Sequence, residues 1–134
     1  MLHHILVVDD DDDVREIIRL QLIDTGYTIL EAEDGEKAIE CLNDNALTVD
    51  VIICDVRMPK INGVEAVAYF RRECPGTPVI VLTGFPDVGL AVEFMKEGVV
   101  DYLVKPVEKE KLIETVTKAA SQRTLFGGPG KQAW

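Results

Sequence analysis

Five aspartates stand in a row, Asp9–Asp13, directly after the apolar run "ILVV" at 5–8. Taken alone, such a run is an acidic helix start, because carboxylates favour helix N-termini. Other reactive side chains stand in matching places. Asp55 follows "VIIC", Thr83 follows "VIVL", and Lys105 follows "DYLV". If one architecture brings these run ends to a common edge, three carboxylates (Asp9, Asp10 and Asp55) meet a hydroxyl and an ammonium. Carboxylates that close do not all ionise unless a cation sits among them. Oxygen donors of this kind suit Mg²⁺ (or Mn²⁺), which takes one or two carboxylates together with water and a phosphate oxygen. A carboxylate beside such a cation and an ammonium is equipped to attack phosphorus, since both positive groups offset the charge that spreads over the phosphoryl oxygens. A calcium loop of the EF-hand type does not fit. Its sixth position would be Val14 rather than Gly, and its twelfth Leu20 rather than Glu.

The elements that must position these groups are legible as a repeating pattern. Short runs rich in Val and Ile, at 5–8, 27–30, 51–54, 79–82 and 101–104, are too short for buried helices. They read as strands, mostly buried on both faces as in a parallel sheet. Helical spacing lies between them. Val14, Ile17, Ile18 and Leu22 form one stripe, with Asp12 or Asp13 placed to cap it. Ala38, Ile39 and Leu42 mark a second helix between Gly35 and Asn45. Val64, Val67, Ala68 and Phe70–Arg72 mark a third, stopped before Pro75. Ala91, Val92, Phe94 and Met95 mark a fourth, ended by Gly98. Leu112, Ile113, Val116, Ala119 and Ala120 make the clearest stripe, a fifth. This is a (βα)5 alternation, an α/β doubly wound five-stranded parallel sheet. Such sheets hold ligands at the carboxyl ends of their strands. The flavodoxin-like strand order 2-1-3-4-5 is the expected one, although alternation alone does not impose it.

Composition narrows the function classes. The 134 residues suit one domain with a real core, and 47% hydrophobic residues argue for a packed globule over disorder. With 24 acidic against 14 basic residues the formal charge is −10. That argues against direct nucleic-acid binding by this domain and suits cations or basic partners. No apolar run reaches the roughly 18 residues that span a membrane, and the N-terminus lacks a basic leader, so a cytoplasmic location is expected. Cys41, Cys54 and Cys74 show no zinc spacing and read as free thiols in a reducing compartment. His3 and His4 read as flexible N-terminal residues. From Ser121 on the chain turns Gly- and Pro-rich, "SQRTLFGGPGKQAW". Residues 1–121 therefore read as the domain and 122–134 as a flexible tail or linker.

In combination, "VVDDD", "DVRMPKING", "LTG" and "DYLVKP", each after its strand, resemble the receiver domain of two-component response regulators across roughly residues 4–120. The resemblance implies a phosphoprotein that takes a phosphoryl group from a histidine kinase or phosphotransfer protein (a phosphorelay) onto Asp55. It implies direct metal ligation by Asp10, Asp55 and the Arg57 backbone carbonyl, with Asp9 acting through water. Thr83 matches the hydroxyl that contacts the phosphoryl group, and Lys105 the ammonium, joined to Pro106 by a bond that is usually cis. Tyr102 matches an aromatic switch that swings inward when Thr83 moves. Arg57 and Phe85 match the two side chains that flank the water approach and tune hydrolysis. Asp11 has no fixed role there. A phosphorylation-dependent homodimer through the fourth helix and fifth strand is implied. Phe94 and Val99 either thicken that face or pack inside.

Other classes fit less well. An aspartyl-nucleophile phosphatase-type hydrolase on a similar sheet usually needs a second acid two residues after the nucleophile, where Arg57 stands. A flavin or nucleotide carrier needs a Gly-rich loop after the first strand, where aspartates would repel phosphate. A degenerate receiver used only for docking would not have every site position filled. The domain is thus expected to signal rather than to turn over an external substrate.

Overall fold

The structure is a computed structural model that describes residues 3–45, 48–58 and 61–123. Strands β1 (His4–Val8), β2 (Thr28–Ala32), β3 (Val49–Cys54), β4 (Val79–Thr83) and β5 (Asp101–Val104) alternate with helices. These are α1 (Asp12–Gln21), α2 (Gly35–Asn45), α3 (Gly63–Glu73), α4 (Val88–Lys96) and α5 (Lys109–Ala120). The sheet is parallel, in the order β2-β1-β3-β4-β5, the flavodoxin-like order expected from sequence.

Two cores follow from the two-residue period of the strands. Ile5 and Val7 face a core with Ile53, Leu82, Ile18 of α1 and Leu112 and Val116 of α5. Leu6 and Val8 face the other, with Ile52, Val81, Leu42 of α2, Phe70 of α3 and Phe94 of α4. Register sets the working edge. Val8 pairs with Ala32 and Cys54, and Thr83 with Val104, so the residues after β1, β3, β4 and β5 emerge side by side. Among the described residues, no helix is long and apolar enough to cross a membrane.

Several expectations are corrected. Burial on both faces holds for β1, β3 and β4, whereas β2 is an edge strand whose Thr28 and Glu31 are exposed. The N-cap of α1 is Asp11, not Asp12 or Asp13. Its extended backbone lets the carboxylate accept the amides of Asp13 and Val14 at 2.9 and 3.4 Å. Ile17 lies 55% exposed, because α1 packs through Arg15, Ile18 and Leu22. His3 and His4 are not loose. His4 starts β1 and is buried, while His3 Nδ1 sits 2.5 Å from Asp50 Oδ2. Of the two alternatives left open for Phe94 and Val99, inside packing is the one observed, and both are core residues. Gln122 and Arg123, assigned to the tail, keep backbone bonds to Ala119 and Ala120. The remainder of that tail, 124–134, lies outside the described residues, as does Pro59.

Candidate functional site

At the carboxyl edge, β1 delivers Asp9 and Asp10 and β3 delivers Asp55. One carboxylate oxygen from each lies within 4.8 Å of the others. Asp9 and Asp55 are buried, while Asp10 faces solvent. Lys105, just past β5, reaches in with Nζ 2.7 Å from Asp9 Oδ2 and 3.6 Å from Asp55 Oδ2. One ammonium thus pairs with two of the three acids. Burial pushes the Asp55 carboxyl up from its ordinary value. The neighbouring Asp9 charge adds to this, and Lys105 and the Val56 amide only partly offset it.

The surroundings lock these groups in place. Asp9 Oδ1 accepts the Asp11 amide at 2.9 Å, and the Asp9 carbonyl accepts a hydrogen bond from the Arg15 guanidinium. Arg15 also binds Glu31 of β2 at 2.9 Å and Asp12. Sequence reasoning missed Arg15. Its signal was position: it stands three and seven residues before Ile18 and Leu22, on the buried face of α1. Asp55 Oδ1 accepts the Val56 amide at 2.8 Å, and the Gly63 amide donates to the Val56 carbonyl at 2.8 Å. The loop that leaves Asp55 therefore returns at once to α3, whose start is fixed by a capping box between Asn62 and Glu65.

Thr83 is fully buried, and its Oγ1 accepts the Phe85 amide at 3.1 Å. Tyr102 stacks on Phe94 with centroids 6.2 Å apart, and its hydroxyl accepts the Asp87 amide at 3.1 Å. Asp87 in turn caps α4 through the Leu90 amide. Thr83 and Tyr102 thus hold opposite ends of the same short connection, 84–87. Asp87 was not singled out from sequence. The Lys105–Pro106 peptide is cis. The Arg57 guanidinium lies 4.0 Å over the centre of the Phe85 ring. The two side chains therefore touch each other, with Phe85 59% exposed. A surface cavity beside Asp10 is lined by Arg57, Met58, Asn62 and Val64.

The donor set fits a small hard cation. Three carboxylate oxygens are close together, two of the acids are buried, and a single ammonium pairs with those two.

The family model of the response regulator receiver domain matches residues 5–117. The chain is 35% identical over 119 residues to the transcriptional regulatory protein GlrR of Escherichia coli strain K12, covering 89% of this chain and 26% of that protein. It is 34% identical over 125 residues to the transcriptional regulatory protein ZraR of Klebsiella oxytoca, covering 93% and 28%. The chain thus spans about a quarter of the length of these relatives. Among solved structures, a receiver domain protein from Clostridium thermocellum superposes with a TM-score of 0.84 at 32% identity, covering 90% of this chain and 95% of that one. The chemotaxis protein CheY4 of Vibrio cholerae gives 0.80 at 31%, covering 89% and 99%. With the fold, the strand order and the family match in agreement, the chain belongs to the response regulator receiver domains of two-component signalling.

Proposed function

We propose that Asp55 accepts a phosphoryl group from a histidine kinase or phosphotransfer protein in a Mg²⁺-dependent reaction, and that the domain then changes conformation to control an output. The observation that carries this reading is the acid triad of buried Asp9 and Asp55 with exposed Asp10, and Lys105 as the ammonium paired with the two buried acids.

Asp10, Asp55 and the Arg57 carbonyl would hold the cation, with Asp9 linked through water. When bound, the cation neutralises charge on the phosphoryl oxygens. One Asp55 carboxylate oxygen attacks phosphorus in line. The P–N bond of the donor phosphoimidazole breaks, and its electron pair stays on the imidazole. Lys105, already shared between Asp9 and Asp55, can turn toward the new phosphoryl oxygens. Thr83 accepts the Phe85 amide, which leaves its own hydroxyl proton to donate to the phosphoryl group. Movement of Thr83 pulls on connection 84–87, and the Tyr102 bond to Asp87 lies at the other end of that connection. This is a two-state element biased by about −1.5 to −2 of added charge. Exposed Val88, Val92 and Met95 on α4 and Val104 on β5 support phosphorylation-dependent pairing of two copies there. Hydrolysis is slow in this reading, because the Arg57–Phe85 stack stands over the water approach.

Incubation with Mg²⁺ and phosphoramidate followed by intact mass measurement tests the assignment. One alkali- and hydroxylamine-labile phosphoryl group on wild type is expected, with none on Asp55→Asn and none in EDTA. Full labelling of Asp55→Asn, or labelling that survives EDTA, refutes it.

A further inference from the structure

We infer that Gly35, the first residue of α2, is a positioning residue for the loop that carries the metal-ligating carbonyl of Arg57, through its contact with Ile61. This rests on the reading of the site given above.

Gly35 is buried, helical and outside the left-handed region of backbone space, so its conformation does not call for glycine. Something other than backbone conformation must therefore exclude a Cβ. Ile61 does. A Cβ on Gly35 would lie 2.8 Å from Ile61 Cβ, 2.8 Å from the Ile61 carbonyl oxygen and 2.9 Å from Ile61 Cγ2. All three are tighter than van der Waals contact allows, and one is backbone.

Ile61 belongs to the returning limb of the loop that begins at Asp55. That limb is crowded at a second point. A Cβ on Gly63 would overlap the backbone of Asp55 and Val56, and the Gly63 amide is already bonded to the Val56 carbonyl. Between them the limb has little freedom, since the Asn62–Glu65 box fixes its junction with α3. Displacing Ile61 from α2 must therefore move Asn62 and Gly63. Through Gly63 the push reaches the backbone of Asp55 and Val56 and the Arg57 carbonyl beyond. Mg²⁺ demands near-ideal octahedral geometry at roughly 2.0–2.1 Å, so a ligand displaced by a few tenths of an ångström is felt as lost affinity. No side chain of α2 enters the acid triad, so the effect would act through position alone.

The experiment is Mg²⁺ titration by calorimetry on the full chain, with thermal unfolding of each variant in the absence of metal. Gly35→Ala is expected to weaken Mg²⁺ binding about tenfold, the low end of what losing a supporting partner does to a metal site. Adding Ile61→Gly, which deletes two of the three crowding atoms, is expected to recover most of that loss. Gly35→Ala that is folded and binds Mg²⁺ as wild type does overturns the inference, even if its Tm has dropped, because that outcome means Gly35 only packs α2. A loss that persists unchanged in the double variant also overturns it. If Gly35→Ala does not fold, Ile61→Phe enlarges the same contact from the loop side; it is expected to weaken binding similarly, and unchanged affinity overturns the inference. Wild type that binds no Mg²⁺ at all removes the parent reading of the site, and this inference falls with it.

Discussion

The two ends of the sheet hold opposite charge arrangements. At the carboxyl edge three acids, Asp9, Asp10 and Asp55, lie together, and one ammonium, Lys105, pairs with two of them, Asp9 and Asp55. At the amino edge one acid, Asp50 of β3, is held by two bases. His3 Nδ1 lies 2.5 Å from one carboxylate oxygen, and Arg123 Nε lies 3.2 Å from the other. Arg123 also donates to the Val49 carbonyl at 2.9 Å, which fastens the end of α5 beneath β3. The amino edge is a closed electrostatic clasp between the start of the chain and the exit from α5. At the carboxyl edge burial and the Asp9 charge push the Asp55 carboxyl up, so its charged form is disfavoured there. The same fold therefore separates an end where one acid meets two bases from an end where three acids share one ammonium's neighbourhood.

The largest effect that would break this comparison is on metal affinity. Asp10→Ala removes one of the three acids, and Mg²⁺ binding should weaken by at least about 10–100-fold, the range seen when even an outer partner of a metal site is lost. Asp50→Asn should leave it unchanged. Calorimetric titration of both variants checks this, and equal losses would erase the distinction between the ends.

Stability should respond in the opposite sense. Asp50→Ala leaves Arg123 and His3 without their shared carboxylate, and about 1–2 kcal/mol of stability should go. His3 is half exposed, which keeps the loss below that of a fully buried pair. Asp55→Asn should instead raise Tm at neutral pH in the absence of metal. An acid whose folded pKa is raised holds its proton more tightly folded than unfolded, so its ionisation lowers stability. That penalty is absent below the unfolded carboxylate pKa. It grows as pH rises through the raised folded value. The gain from Asp55→Asn should therefore be full near pH 7 and vanish in acid, and Mg²⁺ should stabilise wild type but not the variant. Thermal melts across pH with and without Mg²⁺ measure each part. An Asp55→Asn protein less stable than wild type at pH 7 would show that the charged form of Asp55 is not disfavoured there.

The smallest effect concerns the roof of the site. A cation–π contact at an exposed position contributes about 0.5–1 kcal/mol, roughly two- to fivefold in a rate. Phe85→Glu and Arg57→Asn should each speed decay of the phosphorylated form by about that factor. The double variant should be no faster than the faster single one, because either change already breaks the stack. Loss of label over time from isolated phosphoprotein provides the rates; fully multiplicative effects would mean the two side chains act separately.

How much of this was legible beforehand differs by element. The alternation of Val- and Ile-rich runs with helical stripes placed all five strands and helices. Only β2 slid, to Thr28–Ala32, because an edge strand tolerates the polar Glu31 that a buried strand would exclude. Asp9, Asp10, Asp55, Thr83 and Lys105 were recognisable because each stands at or just past the end of a strand, and parallel strands must end on one edge. Burial repeats with the local period of the backbone, so a sequence carries it openly. The tertiary structure alone decided which groups touch. It placed Lys105 nearer Asp9 than Asp55, stacked Arg57 on Phe85, tied Tyr102 to Asp87 and set Ile61 against Gly35. Each of these pairs joins different elements or the loops between them, and its distance depends on how whole helices settle on the sheet. No local period encodes that placement. It emerges only when both cores close.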